Sequence, residues 1–338
     1  MNVRRHHISA AALAAVTALG LGTLTACSSD SAAAGNTDKF DVVASFYPMA
    51  FLAERIGGEH VSVTSLTEPG QEPHDLEISA RQTAQLEESD AALYLKGLQP
   101  SVDEAIGQSP VETKIDAATL TSLEEHGTEA GGHEDEHAED EHAEEEHSEE
   151  EHSEEEHGHS HETEGGKDPH VWLDPVKYAE VAEGVGKAFA KADPDHAADY
   201  EKNTAALVGE LNELDEKFKT GLADRKNSVF ITTHAAFGYL AERYGLTEEA
   251  ISGLDPESEP SGARVKELQK MAKADGVTTV FYETLVSDKT AKTLAGDTGL
   301  KTDVLDPLEG ITDASRGDDY FQVMEANLEA LRTALGTK

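Results

Sequence analysis

Four short stretches of this 338-residue chain carry side chains able to grip a metal ion: His74 in EPGQEPHDLE, His170 in DPHVWLDP, His234 in ITTHAAFGYL and Asp306 in VLDPLEG. His74, His234 and Asp306 follow or close runs that read as strands, and in open parallel sheets ligands bind beyond the carboxyl ends of the strands. Imidazole nitrogens with one carboxylate suit zinc, at about 2.0–2.2 Å and with four positions in a tetrahedron. Softer or redox-driven sites want thiolate, and the chain has a single cysteine, Cys27. Each residue also has an ordinary reading. A lone histidine after a strand is commonly a hydrogen-bonded turn residue, and Asp306 before Pro307 can simply cap a turn. Position alone leaves both readings open. His6, His7, His60 and His196 lack such a setting and read as signal or surface residues.

A louder histidine pattern lies between the first and second of these motifs. Residues 134–161 read EDEHAEDEHAEEEHSEEEHSEEEHGHSH, with His137, His142, His147, His152 and His157 five apart and His133, His159 and His161 beside them. Residues 124–164 hold twenty Asp or Glu and no Lys or Arg. A spacing of five turns successive rings about 140° around a helix, so they share no face. Without aliphatic side chains and with like charges repelling, ordering the segment would not be compensated by burial, so a mobile loop is expected over about 124–166. Histidine mixed with carboxylate is compatible with zinc, which makes the run a candidate set of auxiliary, low-affinity metal sites. The competing reading is a solvated spacer.

The elements that must position the four residues follow from the hydrophobic pattern. FDVVASFYP (40–48) reads as a buried strand, MAFLAERIGG (49–58) as a helix stopped by glycine, and HVSVTSL (60–66) as a second strand. ISARQTAQLEES is helix-like, AALYLKG and VETKIDA strand-like, and a helix runs from Pro175 to Asp193-Pro194. From 195 to 224 the apolar residues Tyr200, Leu207, Leu211, Leu214, Phe218 and Leu222 recur mostly three or four apart. One amphipathic helix of roughly 45 Å, at 1.5 Å per residue, is therefore expected to act as a strut between two lobes. The second lobe repeats the rhythm in NSVFITT, AAFGYLAERYG, VKELQKMAKADG, VTTVFYE, SDKTAKTLAGDTG, KTDVLD and DDYFQVMEANLEALRTALG. The predicted fold class is α/β: two lobes, each a parallel sheet flanked by helices, at 40–194 and 225–338, bridged by the helix 195–224.

MNVRRHH, the apolar ISAAALAAVTALGLG and the LTAC ending at Cys27 form an export signal, residues 1–26. LTAC resembles a bacterial lipobox, so Cys27 is expected to be lipid-modified and residues 27–39 to act as a flexible tether outside the membrane. The formal net charge of −41, about half of it in the acidic run, argues against nucleic acid as a partner and suits attraction of cations.

VVASFYPMAFLAERIGG, EPGQEPHDLE, DPHVWLDP, ITTHAAFGYL, VFYETLVS and VLDPLEG stand in the order seen in the metal-binding lipoproteins of zinc and manganese ABC importers, and the chain resembles that cluster from about residue 40 to its end. The resemblance implies two lobes joined by one rigid helix, with metal held in the cleft. It implies His74, His170 and His234 as ligands. An imidazole at the third position, where manganese binders commonly have glutamate, shifts the preference to zinc. It implies Asp306 as fourth ligand. Some zinc members use a glutamate directly before the first histidine; here Pro73 stands there and Glu72 one further back, so Glu72 or water is the alternative. The expected function is a monomeric, lipid-anchored extracytoplasmic protein that captures Zn2+ for an ABC permease and its ATPase, and that is not an enzyme. The alternatives are a manganese-binding component of the same transporter class, or a zinc-dependent hydrolase. The hydrolase lacks an HExxH pair and an evident general base.

Overall fold

The computed structural model describes residues 39–127 and 167–337; the signal, Cys27 and the histidines from His133 to His161 lie outside the described residues. In chain order the first part comprises β1 (Phe40–Ala44), α1 (Tyr47–Gly57), β2 (Val61–Ser65), α2 (Ala80–Glu88), β3 (Ala91–Tyr94), α3 (Pro100–Gln108) and β4 (Thr113–Asp116). Two helices follow, α4 (Pro175–Ala192) and α5 (Ala197–Gly221). The second part is β5 (Val229–Thr232), α6 (Gly238–Tyr244), β6 (Thr247–Ala250), α7 (Gly262–Ala274), β7 (Thr279–Tyr282), α8 (Lys289–Thr298), β8 (Lys301–Val304) and α9 (Tyr320–Leu335). The first sheet is ordered β2-β1-β3-β4 and the second β6-β5-β7-β8, all pairs parallel. This is the two-lobed α/β architecture expected from the sequence. Strand FDVVASFYP is shorter than its apolar run: β1 ends at Ala44 and α1 already begins at Tyr47, with Pro48 in its first turn.

Alternation along the central strands sends side chains to two different cores. Val42, Ala44, Ala91 and Leu93 join the large central core, whereas Val43 and Ala92 pack with Leu86 of α2 and with Val102 and Ile106 of α3. In the second sheet Phe230 and Phe281 face the central core, and Ile231 and Val280 face α7 and α8. With helices on both faces the central strands must be apolar throughout, which is what VVA, AAL, VFIT and TVFY provide.

The central core runs through both lobes, and α5 lies along it. Its buried stripe is Tyr200, Thr204, Leu207, Leu211, Leu214, Asp215 and Phe218, and its 25 residues span about 37 Å at 1.5 Å each. Glu210 of α5 pairs with Arg55 of α1 at 2.6 Å, and Lys217 pairs with Glu325 of α9 at 2.5 Å. Antiparallel to it, α4 approaches closely at Gly186, where an added Cβ would stand 2.1 Å from the Thr204 hydroxyl. The start of α4 is set by Asp174, which accepts from the Val176 amide while Pro175 takes the first helical position. Asp174 also receives Arg243 of α6 through Nε at 2.9 Å and Nη2 at 2.6 Å. Just upstream, the fully buried Trp172 packs edge-on to Phe46 at 5.0 Å and donates Nε1–H to the Pro307 carbonyl at 2.7 Å. Truncating such a side chain costs about 3–5 kcal/mol. These contacts fix the second-lobe turn 306–309 against the segment that carries His170.

Candidate metal centre

The structure brings His74, His170 and His234 together, and the carboxylate among them belongs to Glu309, three residues beyond Asp306. One donor atom from each of the four lies within 4.8 Å of the others. The three Nε2 atoms converge on a single oxygen: Glu309 Oε1 is 3.2 Å from His74, 3.2 Å from His170 and 3.4 Å from His234. A tetrahedron with metal bonds of 2.0–2.1 Å has ligand–ligand edges of about 3.3–3.4 Å. The three separations to Glu309 Oε1 lie close to that edge length. His234 Nε2 and Glu309 Oε2 are buried without a hydrogen-bond partner among the described residues.

Each side chain is placed by its local backbone. His234 stands two residues past β5, and its Nδ1 meets Glu283 Oε1 at 2.9 Å, directly after β7. His170 sits where the chain re-enters before α4, its Nδ1 2.7 Å from Asp168 Oδ1. Nδ1 engaged by a carboxylate holds the ring so that Nε2 faces the metal position and raises its basicity. His74, in the loop between β2 and α2, is the least buried of the four, with 11% of its side chain exposed. It borders a cleft of about 580 Å³ whose walls include Lys96, Asp103 and Asp116 of the first lobe and Leu254 and Asp255 of the second.

Asp306 does something else. Its Oδ1 accepts from the Leu308 amide at 2.9 Å, its Oδ2 from Thr284 Oγ1 at 3.2 Å, and Asn327 of α9 bonds both its backbone groups, donating to its carbonyl at 2.7 Å and accepting from its amide at 2.9 Å. Leu308 is the only non-glycine residue with positive φ among the described residues, at 59°, and it is fully buried. A left-handed leucine costs of order 1–3 kcal/mol and persists only where its surroundings enforce it. The Asp306 turn enforces it, and the reversal delivers Glu309 to the three imidazoles. The strand-end rule thus pointed at this turn, and the carboxylate that the turn brings to the three imidazoles is that of Glu309 rather than Asp306. Glu72, the other alternative, accepts from the backbone amides of His74 at 3.1 Å and Asp75 at 3.3 Å and holds its own turn. His60 and His196, expected at the surface, stack on each other at 4.0 Å, far from this group in the fold, against Asp199 and Asp193.

The electrostatics follow from burial against pairing. Burial opposes charge on His170, but Asp168 and Glu309 on either side carry its pKa up to about 9. Burial likewise opposes charge on His234, and Glu283 and Glu309 overcome it and raise the ring well above its usual range. Burial would keep Glu309 protonated, but the three imidazoles hold it well below the usual carboxylate range. Burial raises Asp306, and its hydrogen bonds offset this only in part. Glu309 is therefore a carboxylate between protonated His170 and His234, and a cation that enters must displace protons.

Sequence reasoning missed Glu309 and also His126, which follows two glutamates before the five-residue repeat starts. Residues 124–127, expected within the loop, are described and packed. Glu124 accepts from the Asp168 amide at 2.9 Å through its carbonyl and donates its own amide to Tyr239 Oη at 2.8 Å. Among the described residues no helix is long and apolar enough to cross a membrane.

Known proteins share this architecture. The chain is 36% identical over 315 residues to the zinc-binding lipoprotein AdcA of Streptococcus pneumoniae, a match covering 91% of this chain and 58% of AdcA, so it spans little more than half of that relative. It is 35% identical over 335 residues to the high-affinity zinc uptake system protein ZnuA of Bacillus subtilis, covering 94% of this chain and 98% of that one. The crystal structure of the Zn(II)-bound ZnuA-like domain of S. pneumoniae AdcA superposes with a TM-score of 0.67 at 32% identity, over 88% of this chain and 99% of the domain. The family described as zinc-uptake complex component A, periplasmic, matches residues 42–334, and the chain belongs to that family.

Proposed function

We propose that this protein is a solute-binding lipoprotein that captures one Zn2+ between its lobes with His74, His170, His234 and Glu309 and delivers it to an ABC permease driven by its ATPase. The observation that carries the reading is the convergence of three Nε2 atoms on Glu309 Oε1 at 3.2–3.4 Å, close to the edge length of a tetrahedral zinc site. Three nitrogens and one oxygen favour zinc over manganese, which prefers oxygen donors in larger number. Four protein donors also fill the tetrahedron, leaving no position for the activated water that a zinc hydrolase needs. Asp306 is reassigned from ligand to shaper of the turn that presents Glu309.

Cys27 would carry the lipid that holds the protein outside the membrane, and the monomer would meet its permease there. The histidines His133, His137, His142, His147, His152, His157, His159 and His161 would collect zinc weakly, since a segment that orders on binding loses affinity. A competition titration of zinc against manganese on the mature chain tests the reading. One zinc should bind tightly and resist a large excess of manganese; displacement at comparable concentrations would assign the site to manganese.

A further inference from the structure

A second group of donors lies on the other side of Asp168: Glu124, His126 and Glu242, with one donor atom from each within 4.8 Å of the others. His126 Nε2 is 3.0 Å from Glu242 Oε2, and its Nδ1 is 3.0 Å from Asp168 Oδ2. Asp168 is itself fully buried, and its other oxygen holds His170 of the cleft. One carboxylate therefore orients two imidazoles, each with Nε2 turned toward further carboxylate. The ring of His126 is seated by shape as well. It stands edge-to-face with Tyr239 at 4.4 Å, and at Gly238 an added Cβ would come within 2.6 Å of its Cγ. Only glycine leaves room for the ring in this position.

The charges have a cation's outline. The carboxylates of Glu124 and Glu242 neighbour each other at the His126 ring, and only Glu124 has a lysine partner, Lys177 at 2.6 Å. Glu242 is 60% exposed, beside a cleft of about 440 Å³ lined by His126, Glu242 and Glu248. A divalent ion at this point would take the place of the Nε2 proton, balance the Glu242 carboxylate beside lysine-paired Glu124, and keep its remaining positions for water or another donor.

We propose that Glu124, His126 and Glu242 form a second zinc-type cation site, weaker and more exposed than the cleft and joined to it through the shared Asp168 carboxylate. One imidazole and two carboxylates bind less tightly than three imidazoles and one carboxylate held in a closed centre, and open positions let the ion exchange. The site is distinct from the histidine run, which begins seven residues later at His133.

The test uses the full mature chain labelled with 15N-histidine, titrated with zinc chloride and followed by the ring nitrogen signals. His126 is assigned by the loss of its signals in His126→Gln. The first equivalent should give three rings, those of the cleft, the shift of metal-bound nitrogen, and further zinc should then do the same to His126 Nε2. Glu242→Gln, isosteric and exposed, should raise the zinc concentration needed for that second step about tenfold and leave the first step where it was. A His126 Nε2 that keeps its metal-free shift while the histidines of the run saturate would overturn the site, as would a second step unmoved by Glu242→Gln. A missing first step would instead count against the cleft assignment, so the two failures are told apart.

Discussion

Zinc binding to the cleft should tighten strongly as pH rises past neutrality, because the ion takes the lone pair that a proton otherwise holds. His170 is carried up to about 9 by Asp168 and Glu309. At pH 7 it lies two units below that value, and at about 1.36 kcal/mol per unit the proton opposes zinc by about 2.7 kcal/mol, roughly a hundredfold in affinity. The sign is that of direct competition: apparent affinity rises about tenfold per unit for His170 alone up to pH 9, and falls as steeply below 7. His234, raised in the same direction by Glu283 and Glu309, steepens the dependence further. The assay is competition against a chromophoric chelator of known pH dependence from pH 5 to 9, paired with calorimetry in buffers of different ionisation enthalpy to count protons released. At least one proton per zinc should leave the first site at pH 7.5. Flat affinity between pH 7 and 9 with no proton released would refute the picture of a Glu309 carboxylate between protonated His170 and His234.

Glu309→Gln removes the only carboxylate inside the group and should weaken the first zinc by about 3–5 kcal/mol, as for other buried ionic groups that lose a partner, or at least a hundredfold. Asp306→Asn keeps an acceptor for the Leu308 amide and should stay within about tenfold of the parent by the same chelator competition; equal losses in the two variants would restore Asp306 as ligand. Glu283→Gln leaves the four donors in place but weakens the grip on His234 Nδ1, and should cost about 10–100-fold in affinity. Deleting residues 128–166 should lower the total zinc bound, measured by metal analysis after dialysis, while one tight ion remains; loss of that ion would place the principal site in the run.

Much of this architecture could be read from the chain because its punctuation is strong. Asp174-Pro175 starts α4 and Asp193-Pro194 ends it, and the three- and four-residue spacing of Tyr200, Leu207, Leu211, Leu214 and Phe218 marks α5. Two elements carried too little signal. α3 buries only Val102 and Ile106, and β6, TEEA, is an edge strand without apolar alternation. Its Glu248 turns inward to accept from Thr232 Oγ1 and the Phe237 amide, and its Glu249 pairs with Arg264, so charge stands where a strand pattern expects aliphatics. The three histidines could be found because each lies in a distinctive motif or just beyond a strand. Glu309 could not, because the choice between Asp306 and Glu309 depends on Leu308 adopting a left-handed backbone, in a turn held by the bonds of Trp172 to Pro307 and of Asn327 and Thr284 to Asp306 rather than by local sequence.

The most direct measurement is a crystal structure of the mature protein loaded with one equivalent of zinc, with the ion located by its anomalous scattering. A single ion is expected at about 2.0–2.2 Å from Nε2 of His74, His170 and His234 and from a carboxylate oxygen of Glu309, with Asp306 still bonded to the Leu308 amide. An ion held by Asp306, by Glu72, or by water in place of Glu309 would contradict it.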